Sequence, residues 1–172
     1  MEPFLKQGSS GVPLYTADER RRRDMSRWTL VQGILAPVQF VVFLASLVLV
    51  LRFLATGEGW LAAAVSVVVK TATLYAIMIT GALWEKDVYG RYLFARPFFW
   101  EDVVSMGVIA LHTAYLVALG GDVLSARGQM YLALAAYAAY VINAAQFLLK
   151  FRAARLERGR HAIAPRVAVA GK

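Results

Sequence analysis

The sequence predicts an all-α integral membrane protein: a bundle of four transmembrane helices, with the N- and C-termini cytoplasmic and a short basic interfacial helix near the N-terminus. Three observations predict it. Of 172 residues, 59% are hydrophobic and the mean hydropathy is +0.54; a soluble domain of this size needs more charge to cover its surface. The apolar residues gather into four runs of 20 or more, and at 1.5 Å per residue each run crosses a hydrocarbon core of roughly 30 Å. Trp28, Trp60, Trp84 and Trp100 stand at the ends of those runs, where amphipathic rings anchor at the membrane interface.

The net charge of +8 is carried by residues flanking the apolar runs, which fits anionic lipid head groups and not nucleic acid. The chain has no cysteine, so disulfides, thiolate metal sites and cysteine nucleophiles are excluded. It opens on a polar stretch with no secretory signal pattern. No internal repeat is visible, and the chain reads as one membrane domain (16–158) between a flexible arm (1–15) and a flexible basic tail (159–172).

In chain order, the arm carries Gly8, Ser9, Ser10, Gly11 and Pro13. Thr16-Ala17-Asp18-Glu19 is a capping box that starts a helix, because the threonine oxygen and the glutamate side chain satisfy free amides of its first turn. Arg20 to Arg23 and Arg27 make that helix a basic cuff at the membrane surface. The spans are predicted at about 28–54, with Pro37 inside it as a source of kinking, then 60–83, 98–119 and 129–149. The last helix is expected to continue through Arg158 and then fray. Ala135 and Ala139 form a small-xxx-small pair suited to close packing.

Orientation follows from the loops. Six Lys/Arg precede the first span, Lys86, Arg91 and Arg96 lie in the middle loop, and seven follow the fourth span, whereas the other two loops hold only Arg52 and Arg127. The positive-inside rule puts both termini and the middle loop in the cytoplasm.

Chemistry is concentrated between Trp84 and His112. Four carboxylates (Glu85, Asp87, Glu101, Asp102), several cations and a histidine inside a span sit there against nearly unbroken hydrocarbon. A charge at a helix centre costs about 2.5–3.5 kcal/mol on the insertion scale, which makes every ionisable residue within a span a functional candidate. Lys70 and His112 are two, although the lysine stem is long enough to snorkel. At 100° per residue Glu101, Ser105, Val108 and His112 form one stripe with Tyr115 close by. Trp28, Gln32, Gln39 and Ser46 form a second stripe on the first span, and Tyr140, Asn143, Gln146 and Lys150 share one side of the fourth. Polar stripes turn inward, away from lipid. Antiparallel stacking puts Gln32, Glu85, Glu101, Ser105 and Gln146 in a layer near the cytoplasm. Gln39, His112, Tyr140 and Asn143 fall roughly 10–17 Å deeper. The expected result is a polar-lined slot open towards the cytoplasm. Part of this has a plainer reading: Ser46 and Ser66 serve as interhelical packing, and acidic residues after Pro97 favour a helix N-terminus without any catalytic duty.

Several strings together carry a family resemblance: Leu14-Tyr15-Thr16 to Arg23, Ser26-Arg27-Trp28-Thr29-Leu30-Val31-Gln32-Gly33, Trp84-Glu85-Lys86, Phe98-Phe99-Trp100-Glu101-Asp102-Val103, Ala110-Leu111-His112-Thr113 and Tyr140-Val141-Ile142-Asn143-Ala144-Ala145-Gln146-Phe147. On these the chain resembles the 2-vinyl bacteriochlorophyllide hydratases over roughly residues 13–156. Asp87 stands where the family pattern leads one to expect an apolar residue and is set aside as a catalytic group. The resemblance implies a multi-pass enzyme of the cytoplasmic membrane of a photosynthetic bacterium. Such an enzyme adds water to the C3 vinyl group of a chlorophyllide-type pigment to give a 1-hydroxyethyl side chain. It implies no cofactor beyond the magnesium that belongs to the pigment. Its partners are the tetrapyrrole, water and the bilayer. A homo-oligomer, or contact with other pigment-biosynthesis enzymes, is left open as a cover for the lipid-facing surface.

Hydrating such an alkene needs a proton at the terminal vinyl carbon, stabilisation of the cation on the inner carbon, and a water held for attack. Neighbouring carboxyls in a low-dielectric pocket divide into an acid and a base. The candidate catalytic residues are Glu101 as acid, Asp102 or Glu85 holding the water, and His112 as proton donor or as axial ligand of the pigment magnesium. Glu101 and His112 are separated by about 16 Å of helix, so one bound pigment does not reach both directly. Gln32, Gln39, Ser105, Tyr140, Asn143 and Gln146 are candidate pigment contacts, and Arg91 and Arg96, with Lys86, candidate partners of its propionate. Two other classes compete: a tetrapyrrole carrier without chemistry, and a proton-coupled transporter using Lys70, Glu101 and His112. Four spans without a repeat count against the transporter.

Overall fold

The computed structural model describes residues 14–169, with Ala154 and residues 157–169 described as backbone only. The chain forms α1 (Ala17–Met25), α2 (Arg27–Thr56), α3 (Trp60–Tyr89), a 3-10 turn (Arg96–Phe98), α4 (Phe99–Gly120) and α5 (Ala126–Val169). No strand occurs among the described residues. Four segments are long and apolar enough to cross a membrane: Arg27–Thr56, Trp60–Tyr89, Arg96–Gly120 and Ala126–Ala153. The all-α, four-span architecture is therefore the one expected.

Local chemistry explains the boundaries. The Thr16 hydroxyl accepts from Glu19 N at 3.2 Å while Glu19 Oε2 accepts from Thr16 N at 2.7 Å, closing the capping box of α1. Ser26 ends α1 and caps α2, accepting from Trp28 N at 3.3 Å. Pro37 lies inside α2 without interrupting it. Gly57 closes α2 and Gly90 closes α3 at φ of 77° and 78°, left-handed values that cost a glycine no Cβ clash. Of the expected flexible arm, residues 1–13 lie outside the described residues. Its last residue, Tyr15, is buried and stacks on Tyr89 with ring centroids 6.0 Å apart. The helical backbone of α5 continues beyond Arg158 to Val169, and residues 170–172 of the tail lie outside the described residues.

Helices α2 and α3 form one close antiparallel hairpin and α4 and α5 another, and α2 against α5 makes the broadest contact between the two hairpins. The core contains Phe43, Val50, Phe53, Val67, Leu74, Val108, Tyr115, Met130 and Tyr137. Leu30, Val41, Val48, Leu61, Ile79, Val117 and Leu148 point outward, as expected where the surrounding solvent is hydrocarbon. The expected Ala135/Ala139 packing pair is corrected: Ala135 is exposed and Ala139 half-buried, while Ala133 and Ala136 are buried. The apolar surround offered no periodicity contrast to separate these two faces of α5.

Candidate active site

The loop from Gly90 to Ala95 folds back over the start of α4 and aims two backbone amides at carboxyl groups. Phe94 N donates to Asp102 Oδ2 at 2.7 Å, and Ala95 N donates to Glu85 Oε2 at 3.1 Å. Phe94 is held at φ of 58°, a conformation that costs a bulky side chain energy and persists only where its surroundings enforce it. Glu85 comes from the last turns of α3 and Asp102 from the first turn of α4. The loop brings them together, and both carboxyl groups are buried.

Glu101 has a different partner. Lys150 of α5 donates to Glu101 Oε2 at 2.6 Å and also to the Pro97 carbonyl. The Lys150 ammonium lies 5.1 Å from the centre of the Phe98 ring. Phe98 in turn packs against Trp84, Tyr89, Phe147 and Phe151. Glu85, Glu101 and Asp102 are exposed by only 5%, 7% and 3%. The three acids therefore form a sealed cluster, where the sequence suggested a slot open to the cytoplasm. Lys150, paired to Glu101, and buried Phe98 beside it stand where the polar stripe alone leaves an opening.

One turn into α4, Ser105 Oγ accepts from Asn143 Nδ2 at 2.8 Å, which joins the α4 and α5 stripes. Deeper still, His112 is fully buried, and its Nδ1 lies 2.8 Å from the Val108 carbonyl. A carbonyl only accepts, so Nδ1 carries the hydrogen and Nε2 presents its lone pair. Lys70, also 0% exposed, places its ammonium 3.7 Å over the Tyr140 ring and within electrostatic reach of His112. The His112 ring lies 5.9 Å from that of Tyr137. Tyr137 lines an apolar groove of about 380 Å³ between α2 and α5, with Phe43, Leu47, Leu134 and Val141.

The structure thus brings together Glu85, Glu101, Asp102, Ser105 and Asn143, with His112 and Tyr140 deeper on the same faces. Gln39 is buried, and Gln146 is half-buried with its Oε1 enclosed. Gln32 stands apart: its Nε2 donates to Thr80 Oγ1 at 2.7 Å and to the Ile77 carbonyl at 3.2 Å, pinning α2 to α3. Arg91 and Arg96 are exposed and form no ion pair among the described residues. Asp87 accepts from Ser26 Oγ at 2.8 Å, outside the acid cluster. Ser46 bonds Ser66 at 2.7 Å and Tyr137 at 2.5 Å, the packing role expected of the serines. Lys150 and the two loop amides were absent from the sequence-derived site. The α5 stripe contained the lysine, and its antiparallel depth opposite Glu101 was the available signal.

Residues 15–153, which contain every one of these groups, match the family model of the 2-vinyl bacteriochlorophyllide hydratases. The chain belongs to that family. It is 62% identical over 155 residues to a 2-vinyl bacteriochlorophyllide hydratase of Rhodobacter capsulatus, covering 90% of each chain. It is 66% identical over 145 residues to one of Cereibacter sphaeroides, covering 84% of this chain and 89% of that protein. No solved structure matches it. Within this hydratase-family chain, the acidic cluster and His112 lie in the matched region, whereas the end of α5 beyond Ala153 lies outside it.

Proposed function

We propose that this chain is a hydratase of bacteriochlorophyll biosynthesis, adding water across the C3 vinyl group of a bacteriochlorophyllide-type pigment. The observation that carries the reading is family membership across 15–153, supported by 62% identity to a protein of that name. The buried carboxyls supply the chemistry such a reaction needs. A proton goes to the terminal vinyl carbon, the inner carbon becomes a cation conjugated with the macrocycle, and the oxygen of water bonds to it. The water then loses a proton to a base, and the side chain becomes 1-hydroxyethyl. Nothing is oxidised or reduced, so the reading calls for no cofactor beyond the magnesium in the pigment.

The geometry supports a division of labour among the acids. The Glu85–Asp102 pair, two buried carboxyl groups that form no ion pair among the described residues, is the donor. Glu101, already the partner of the Lys150 ammonium, orients water or accepts its proton. This moves the donor role from Glu101, the first choice on sequence, to its neighbours. His112, with its Nε2 lone pair unengaged, serves the pigment magnesium and not the proton transfer. Asp102 and His112 are about 15 Å apart along α4, so with the magnesium on His112 the proton passes from the acid layer to the vinyl by way of Ser105 and intervening water. The groove at Tyr137 offers an apolar approach from the bilayer, and Arg91 and Arg96 stand at the loop where a propionate would emerge. The charge distribution supports cytoplasmic termini, an interfacial α1 and a location in the inner membrane.

Incubating the purified protein with a 3-vinyl pigment tests the reading. The expected product is heavier by one water, and its absorption shifts to the blue as vinyl conjugation is lost. A pigment bound with unchanged mass would make the chain a carrier and overturn the proposal.

A further inference from the structure

Six enclosed side-chain atoms have no hydrogen-bond partner among the described residues: Gln39 Nε2, Lys70 Nζ, His112 Nε2, Tyr115 Oη, Asn143 Oδ1 and Gln146 Oε1. They come from all four spans. Buried polar atoms are normally paired, and within a bilayer no outside solvent serves them.

These atoms follow the axis of the bundle. On α5, Tyr140, Asn143 and Gln146 climb one face in steps of about 4.5 Å towards the Lys150–Glu101 pair. On α4, Ser105, Val108, His112 and Tyr115 make the facing stripe, joined to α5 by the Asn143–Ser105 bond. Lys70 reaches this seam from α3 over the Tyr140 ring. Gln39 lies one turn of α2 from Phe43, whose ring packs against Tyr140 at 5.0 Å.

The chemistry of the six selects their ligand. Gln39 Nε2 and Lys70 Nζ only donate. His112 Nε2 accepts, because Nδ1 carries the hydrogen. Asn143 Oδ1 and Gln146 Oε1 accept, and the Tyr115 hydroxyl does either. An anion satisfies only the donors and a metal cation only the acceptors. A ligand that both donates and accepts satisfies all six, and the smallest is water, which typically makes about three hydrogen bonds when buried.

We infer that the α4–α5 seam holds a file of internal water running from the acid cluster to Lys70 and, while no pigment occupies it, to His112 Nε2, and that this file supplies the water consumed in hydration. The second half rests on the hydratase reading; the first does not.

X-ray radiolysis footprinting of the full chain in lipid nanodiscs tests both halves, because hydroxyl radicals formed from bound water modify the side chains beside it. His112 and Tyr115 are expected to be oxidised although both are fully buried, while the buried apolar Phe53 stays unmodified. Asn143→Leu, which plugs the seam, is expected to bring labelling at His112 down to the Phe53 level. It should also lower kcat, measured at saturating pigment. Gln39→Leu, on another helix, repeats the test if the first variant does not fold. Labelling of His112 and Tyr115 no greater than that of Phe53 overturns the water file. Labelling lost in a folded variant with turnover unchanged overturns the supply role. A labelled wild type that makes no hydrated pigment leaves the water site standing and removes the hydratase reading instead.

Discussion

Lys150 is the residue whose removal reports most directly on how the acid cluster is built. It is the cation opposite buried Glu101, and it also holds the Pro97 carbonyl. Lys150→Met leaves a carboxylate enclosed without a partner, at an expected cost of about 1–3 kcal/mol, read as a lowered Tm in detergent. Adding Glu101→Gln should recover part of that loss; an additive double variant would contradict the coupling. His112→Ala is expected to weaken pigment binding by losing the Nε2 ligand, whereas Glu85→Gln should spare binding and lower turnover. A titration of pigment absorbance beside an activity assay separates the two. At this scale the sequence was informative along single helices: the 100° period put Glu101, Ser105 and His112 on one stripe, and the structure buries all three. The partners across helices were not legible. Lys150 meets Glu101 through the register of two helices, and Asp102 meets Glu85 through a loop fold. Neither is encoded in local spacing.

The loop between α3 and α4 is the element that turns scattered acids into a cluster, because it delivers the Phe94 and Ala95 amides. Gly90 sets its direction at φ of 78°, and a Cβ there meets nothing within 4 Å. Gly90→Ala should therefore cost about 1 kcal/mol through backbone conformation alone. Gly107→Ala, in helical α4 with equally open space, should instead leave the Tm unchanged or raise it, because alanine suits a helix interior better than glycine. Thermal unfolding of both variants checks the contrast. Helix limits were legible where membrane and helix end together, as at Trp60. They were less so where the helix leaves the bilayer. The apolar pattern marks the hydrocarbon slab, and the backbone goes on hydrogen-bonding through Glu85 and Lys86 to Tyr89.

Taken whole, the molecule is two hairpins with polar groups sealed between them and apolar side chains outside. That arrangement was legible because burying unpaired polarity in lipid is costly, so inward stripes are nearly obligatory. The filling of the interior was not, since apolar composition does not say which long side chain occupies a gap. The charge asymmetry of the loops predicts that Arg91 and Glu58, both exposed, lie on opposite sides of the membrane. The chain has no cysteine of its own. Arg91→Cys and Glu58→Cys labelled in oriented vesicles by an impermeant maleimide should therefore react from opposite faces, the first from the cytoplasmic one. Labelling of both from one face would contradict the topology.

The claim on which the account turns is that a buried carboxyl pair protonates a vinyl group presented from the bilayer. Asp102→Asn keeps the size of the side chain and removes its acidity, so turnover and pigment affinity of this variant beside the wild type form the direct measurement. The account predicts that hydration falls by about two to four orders of magnitude, the usual range for a lost general acid, while the pigment still binds. Wild-type turnover in the folded variant would contradict it.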